Sequence, residues 1–239
     1  MLCSLLEQTD IAGRPSEFFG PTLFEELLAN RSVVHARDIS EVMGRIRSTC
    51  TSENGVCGIK LLAPQTELFL RRAADDRQVP FASLKDALEA EFPGLRYILL
   101  TRENKVAQAI SYYRAIINRV WRRGTDEAPR PGRPVAYDHF AIQRCLQECI
   151  ASDAYWDGYF ERHGITAHRV TYEALAADYE SEVRRILTFL DLSRNVLVKP
   201  PETAKLANEE SVAWETEFLE HGRVPEPEPL PPERLWAPY

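Results

Sequence analysis

Residues 95–121, LRYILLTRENKVAQAISYYRAIINRVW, constrain the fold of this chain more than any other stretch. A short apolar run, Leu95 to Leu100, suits a buried parallel strand. It stops at Thr101-Arg102-Glu103-Asn104 and gives way to a helical pattern. Val106, Ala109, Ile110, Tyr113, Ile117, Val120 and Trp121 fall at the i, i+3, i+4, i+7 spacing of one buried helix face. Ala107, Ser111, Arg114, Asn118 and Arg122 lie on another face. A strand running straight into a helix is half of a βαβ unit. It sets a cation, Arg102, at the carboxyl end of the strand and a hydroxyl, Ser111, two turns into the helix. Ligands of open α/β sheets bind at that edge, and anions favour helix N-termini. The same two residues also read as a solvated loop charge and a surface hydroxyl, and spacing alone favours that plainer reading.

Charge sharpens the question. The 239 residues carry a net charge of −7, which argues against a general nucleic-acid binder. Residues 102–133 nevertheless hold eight Lys or Arg against three acids, a local +5 that leaves −12 for the rest. A basic patch on an acidic protein suits a small polyanionic ligand better than a long polymer, although a solvated helix face would look the same. The five cysteines (Cys3, Cys50, Cys57, Cys145, Cys149) show no CxxC spacing, so neither a disulfide framework nor a zinc site is expected. The histidines show no ligand spacing either, and no metal is implied. No apolar run approaches ~18 residues, so no membrane span is expected. Residues 1–30 are acidic and lack the basic start and apolar run of a signal peptide, which points to a cytoplasmic protein.

Along the chain, Met1–Thr9 begins in a helical pattern with no cap before it. Residues 11–20, IAGRPSEFFG, read as a turn-rich link. Short helices are expected from Thr22 to Ala29 and from Ile39 to Arg47. Val56–Leu62, VCGIKLL, reads as a buried strand in which Gly58 permits close backbone approach and Lys60 is a charge inside an apolar run. Helices are also expected at Gln65–Ala74 and, capped by Ser83, at Leu84–Phe92. A Gly/Pro loop spans 124–136. A long helix covers Asp138–Arg162 and ends before Gly164, and Ile165–Thr171 reads as a strand. Tyr172-Glu173 open a turn, with helices at Tyr179–Leu190 and Glu209–His221. Residues 222–239 hold six of the sixteen prolines and read as an extended tail after a single domain, 1–221. Strands separated by helices imply an α/β fold with a mostly parallel sheet.

Several stretches together resemble the bacterial carbohydrate sulfotransferases of the trehalose 2-sulfotransferase type. They are the Leu2-Cys3 helix leading to Ala12-Gly13-Arg14-Pro15-Ser16-Glu17-Phe18-Phe19, and Gly55-Val56-Cys57-Gly58-Ile59-Lys60-Leu61. Next come Arg102, Val106-Ala107-Gln108-Ala109-Ile110-Ser111 and Tyr113-Arg114-Ala115, then Val120-Trp121-Arg122, and lastly Tyr172-Glu173-x-Leu175. The resemblance implies a P-loop-type parallel sheet flanked by helices. It also implies 3′-phosphoadenosine-5′-phosphosulfate (PAPS) as sulfuryl donor and a small carbohydrate as acceptor. Homodimerisation is suggested by the likeness alone.

Carried over residue by residue, Glu17 matches the family's general base, and Arg102 and Ser111 match the pair that grips the donor's 3′-phosphate. Lys205, with Ala207-Asn208 and Trp214, resembles the segment closing over the nucleotide. The physics suits these roles. Sulfuryl transfer, like phosphoryl transfer, is mostly positioning and electrostatic stabilisation, and a carboxylate need only accept the acceptor's proton. A planar guanidinium fork suits phosphate. On the acceptor side, Phe18 and Phe19 could stack on a sugar face or exclude water. Arg14 could orient the acceptor or pair with Glu17, Lys60 could neutralise sulfate oxygens or face solvent, and Trp121 could border the acceptor pocket or pack in the core.

One motif of the family is missing from the resemblance. A strand and a Pro/Gln-Arg-Ser-Gly-Ser-Thr loop that wraps the 5′-phosphosulfate are expected immediately before Leu2, where Met1 stands. On that reading the first strand and P-loop are absent from this chain, through a misplaced start or a truncated gene, and residues 1–239 should transfer sulfate poorly. Two alternatives remain: a catalytically dead nucleotide-binding or interaction module, and a P-loop kinase-like phosphotransferase, which the lack of a Gly-Lys-Ser/Thr loop opposes.

Overall fold

The computed structural model describes residues 1–20, 39–121, 135–202 and 209–221. In chain order they form α1 (Leu2–Glu7), β1 (Ser16–Glu17), α2 (Ile39–Cys50), β2 (Ile59–Lys60) and a 3-10 turn (Ala63–Gln65). Next are α3 (Thr66–Arg77), α4 (Leu84–Glu91), β3 (Ile98–Thr101), α5 (Lys105–Asn118) and α6 (His139–His163). The series closes with β4 (His168–Thr171), α7 (Tyr172–Ala177), α8 (Tyr179–Phe189) and α9 (Glu209–His221). The architecture is α/β, with parallel strand pairs covered by helices.

Helix ends follow local chemistry. Asn104 caps α5 by accepting the Ala107 N–H at 2.8 Å, Asp138 caps α6 through the Ala141 N–H at 3.0 Å, and Ser83 caps α4 through the Asp86 N–H at 3.2 Å. Gly164, at φ +61°, ends α6 in the left-handed conformation that glycine adopts without strain. None of the helices among the described residues is long and apolar enough to cross a membrane.

The strands form two parallel pairs rather than one sheet. β1 lies on β2 in the register Ser16↔Ile59 and Glu17↔Lys60. β3 lies on β4 in the register Ile98↔His168 to Thr101↔Thr171. That second register has a functional consequence. The two strands end level with each other, so the residues just past their ends, Arg102 and Tyr172-Glu173, emerge side by side.

Three apolar clusters hold the frame. Phe19, Met43, Ile46, Phe69, Leu88 and Phe160 pack between α2, α3, α4 and α6. Leu5, Val170, Leu175, Ile186 and Leu187 join α1 to β4, α7 and α8. Ile110, Ile142, Leu146, Trp214 and Phe218 join α5, α6 and α9.

Several expectations are corrected. Residues 16–17 are a strand and not part of a loop, because the Gly13 turn brings them alongside β2. The strand expected over Val56–Leu62 is laddered only at Ile59–Lys60. Val56 and Cys57 belong instead to a hairpin, closed by Ser52 N–H donating to Val56 O at 2.9 Å and by the antiparallel bridge Thr51↔Cys57. The buried face assigned to α5 stops early: Ile117, Val120 and Trp121 are 43%, 36% and 63% exposed. The helix ends at Asn118, and Arg119 at φ +54° turns the chain away before those side chains reach the core. Leu100, expected in a strand buried on both faces, is exposed because β3 borders an open cleft. The helix expected at 22–29, the 124–134 part of the loop and the 222–239 tail lie outside the described residues.

Candidate active site

A cleft of about 1000 Å³ opens between the two strand pairs. Ile59 and Lys60 of β2 form one wall and Ile98 to Leu100 of β3 the other, with Leu2, Cys3 and Leu6 of α1 at its margin. Ser111 and Tyr112 of α5 and Ser152 and Asp153 of α6 also line it. Arg102, Ser111, Lys60 and Trp121, picked out from the sequence on separate grounds, therefore face one space.

Arg102 is held but not used up. Its Nε lies 3.7 Å from Glu173 Oε1, its Nη1 reaches the Ala107 carbonyl at 3.5 Å, and its guanidinium lies 4.8 Å from the Tyr172 ring centre. Nε is nonetheless buried without a hydrogen-bond partner, a cost normally met by a partner group. Ser111, one residue past Ile110 on α5, lines the same cleft with its hydroxyl making no hydrogen bond among the described residues. A cation with an unmet donor beside an uncommitted hydroxyl fits an anionic oxygen group such as a phosphate.

Glu173 supplies the tether. Its carboxylate accepts the N–H groups of Glu103 at 3.0 Å and Asn104 at 3.3 Å, which fixes the loop carrying Arg102. Burial pushes the Glu173 carboxyl up, but those amide donors and the Arg102 charge prevail and hold it below the ordinary carboxylate range. Tyr172-Glu173 is thus a positioning element for the β3 end. Only the β3–β4 register reveals this.

On the opposite wall Glu17 is exposed in part, and both its oxygens are engaged. Lys60 donates to Oε2 at 2.6 Å and Gln65 Nε2 donates to Oε1 at 2.6 Å. The pairing follows from the Glu17↔Lys60 register of β1 on β2. Lys60 lines the cleft and Glu17 meets it through Lys60. With both oxygens so engaged, Glu17 takes Lys60 and Gln65 as partners and not Arg14, whose side chain is exposed.

Phe19 is a correction. It is wholly buried, with its ring 4.8 Å from that of Phe69 in an edge-to-face contact, so it packs the core and offers no face to a sugar. Phe18 is half-buried and packs on the same cluster. Trp121 takes the other course: it stands exposed at the cleft, tilted against Tyr112 at 5.9 Å, and is not a core residue. Lys205 lies outside the described residues.

α6, the long helix expected from the sequence, brings to the cleft side chains that its pattern does not single out. Glu148, Ser152 and Asp153 line the cleft from it, and Lys105 pairs with Asp153 while donating to Gln108 at 3.2 Å. Positions 145, 148, 149, 152, 153 and 156 share a helix face, but nothing in a single sequence says that this face meets α5 across a cleft. Among the described residues no group of three or more His, Cys, Asp or Glu is placed to hold a metal ion.

Comparison with known proteins bears on this geometry. Trehalose 2-sulfotransferase of Mycobacterium tuberculosis (strain ATCC 35801 / TMC 107 / Erdman) is 28% identical over 174 residues, covering 71% of this chain and 62% of the relative. The match thus spans less than two thirds of that relative's length. Trehalose 2-sulfotransferase of Mycolicibacterium smegmatis (strain ATCC 700084 / mc(2)155) is 26% identical over 245 residues, covering 90% of this chain and 87% of the relative. The family model described as Stf0 sulphotransferase matches residues 1–221, which takes in every described element from α1 to α9, and the chain belongs to that family.

Proposed function

We propose that this protein transfers a sulfuryl group from PAPS to a hydroxyl of a carbohydrate acceptor. The observation that carries the reading is the pairing, in one cleft, of the unmet Arg102 Nε with the uncommitted Ser111 hydroxyl. PAPS differs from ATP in carrying a 3′-phosphate, and those two groups are its natural ligands: a charge-assisted fork on a loop anchored by Glu173 and a neutral donor on α5. PAPS brings the chemistry with it, a sulfuryl group on a phosphate leaving group, and leaves the protein to position and to balance charge.

Across the cleft, in this reading, Lys60 neutralises sulfate oxygens; its place on the cleft wall supports the role. As Lys60 turns toward that charge, Glu17 Oε2 loses its partner and becomes the acceptor for the sugar hydroxyl's proton, while Gln65 keeps the carboxylate in place. The opening of the ion pair and the arming of the base are then one event. Trp121 offers the aromatic face for the acceptor that Phe19 does not.

Calorimetry with adenosine 3′,5′-bisphosphate and transfer of labelled sulfate from PAPS to a panel of mono- and disaccharides test this reading. The nucleotide should bind, and Arg102→Ala should weaken it by about tenfold or more, as expected for a lost charge-assisted hydrogen bond of ~1.5–3 kcal/mol. Ser111→Ala should cost a smaller factor, about threefold to tenfold. Unchanged affinity in Arg102→Ala would remove the basis of the proposal.

A further inference from the structure

The hairpin between α2 and β2 brings together two cysteines whose spacing in the sequence suggested no pairing. Thr51 bridges Cys57 in antiparallel fashion, and the Cys50 carbonyl accepts both Gly58 N–H at 3.0 Å and Arg14 N–H at 2.8 Å. The backbone on either side of the two thiols is therefore fixed, and the entropy of bringing them together is already spent in folding. Cys50 is fully buried at the end of α2, whereas Cys57 is half-buried and lines the cleft. Both are free thiols: Cys57 packs against the buried cluster that contains Cys50, and its S–H donates to the Arg47 carbonyl at 3.9 Å.

We infer that Cys57 and Cys50 form a redox-active dithiol, in which Cys57 reacts with a hydroperoxide reaching it through the cleft and Cys50 resolves the product as an intramolecular disulfide. The first step attaches one peroxide oxygen to Cys57 Sγ, giving a sulfenic acid and one water from hydrogen peroxide. In the second, Cys50 Sγ attacks Cys57 Sγ, the S–O bond breaks, and a second water leaves with the Cys50 proton. Two thiols are oxidised and one peroxide is reduced.

The surroundings favour Cys57 as the attacking sulfur. The neighbouring Cys50 and Thr51 side chains and the Arg47 charge outweigh the burial that opposes them and lower the Cys57 thiol, the direction that favours the reactive thiolate. The other cysteines differ. Burial pushes Cys145 and Cys149 up to about 12 and also raises Cys3. Its neighbour Cys57 and its burial raise Cys50 as well, as suits the group that attacks second. The disulfide would fasten the end of α2 to a position three residues ahead of Lys60, so oxidation would be felt on the wall that carries the Lys60–Glu17 pair.

The test uses the full chain with stoichiometric hydrogen peroxide, then denaturing alkylation, trypsin digestion and mass spectrometry. Cys50 and Cys57 fall in one tryptic peptide, 48–60, which should lose two hydrogens and resist alkylation until reduced, while Cys3, Cys145 and Cys149 remain alkylatable. Cys57→Ser should abolish that loss. Cys50→Ser should instead leave a sulfenic acid at Cys57 that dimedone traps, a readout available even if the buried substitution lowers stability. Two alkylatable thiols persisting in the treated wild-type peptide, or a Cys3–Cys57 linkage in place of the expected one, would overturn the inference.

Discussion

At the scale of single residues, the cleft depends on groups that are held without being satisfied. Arg102 is steadied by Glu173, Tyr172 and the Ala107 carbonyl, yet keeps a buried donor unmet. A guanidinium fully paired with carboxylates would have to surrender a partner before taking a phosphate, and this one need not. Glu173 makes that state possible, and its titration gives a pH test. Its pKa in the folded protein is depressed, so its contribution to stability is complete above the unfolded value, about 4.3, and disappears as pH falls through the depressed value. Thermal midpoints measured from about pH 6 to about pH 3 should therefore fall less steeply in Glu173→Gln than in the wild type. At neutral pH the same variant should bind adenosine 3′,5′-bisphosphate more weakly, because the loop bearing Arg102 has lost its anchor. Parallel acid limbs in the two proteins would show that Glu173 is not what holds that loop.

At the scale of elements, two glycines decide how β1 meets β2. Gly13 lies at φ +76°, and a Cβ there would stand 2.3 Å from Gly58 N. A Cβ on Gly58 would in turn meet the Pro15 ring at 2.9 Å. Neither neighbour yields cheaply, since one is backbone and the other a rigid ring. Gly58→Ala should cost ~1–3 kcal/mol of stability by overpacking, a fall in Tm of about 2–4 °C per kcal/mol for a chain of this size. Gly13→Ala should cost more, because positive φ adds its own strain. The damage should extend to the site: the glycines set the register that pairs Glu17 with Lys60, so Gly58→Ala should lower sulfate transfer by more than its loss of folded protein accounts for. Transfer rates scaled to folded protein, from circular dichroism and activity on the same samples, make that comparison.

At the scale of the molecule, two strand pairs stand on either side of one cleft, each contributing a cation, Lys60 from one and Arg102 from the other. The chain as a whole is acidic, so on the proposed function a polyanionic nucleotide would be drawn to a local basic region against an unfavourable net charge. Binding of adenosine 3′,5′-bisphosphate should consequently fall about tenfold between ~0.05 M and ~0.5 M salt, as the screening length shrinks from beyond to within the size of the site. The KM for a neutral sugar acceptor should hardly move over the same range. Equal sensitivity of both would place the acceptor and the nucleotide under the same charges and contradict this division of the cleft.

Local periodicity and end signals were enough to locate most helices: Ser83, Asn104, Asp138 and Gly164 mark their boundaries by side-chain and backbone chemistry that acts within a few residues. The β3–α5 unit, and with it the Arg102–Ser111 pair, was legible for the same reason. Long-range pairing was not. Residues 16–17 carry no strand pattern and become a strand only because β2 lies beside them. Phe18 and Phe19 are adjacent in sequence, and only the packing of Phe69 separates a fully buried ring from a half-buried one. The link from Glu173 to the Arg102 loop and the Asp153 side of the cleft likewise arise from contacts between distant segments, and the approach of Cys57 to Cys50 from a local hairpin that no strand pattern announces. Sequence by itself determined where the chain makes helices and which residue types could meet an anion, because those are properties of neighbours along the chain. Which of those residues share one cleft was decided only by register and packing, which arise from burying apolar surface over the whole fold.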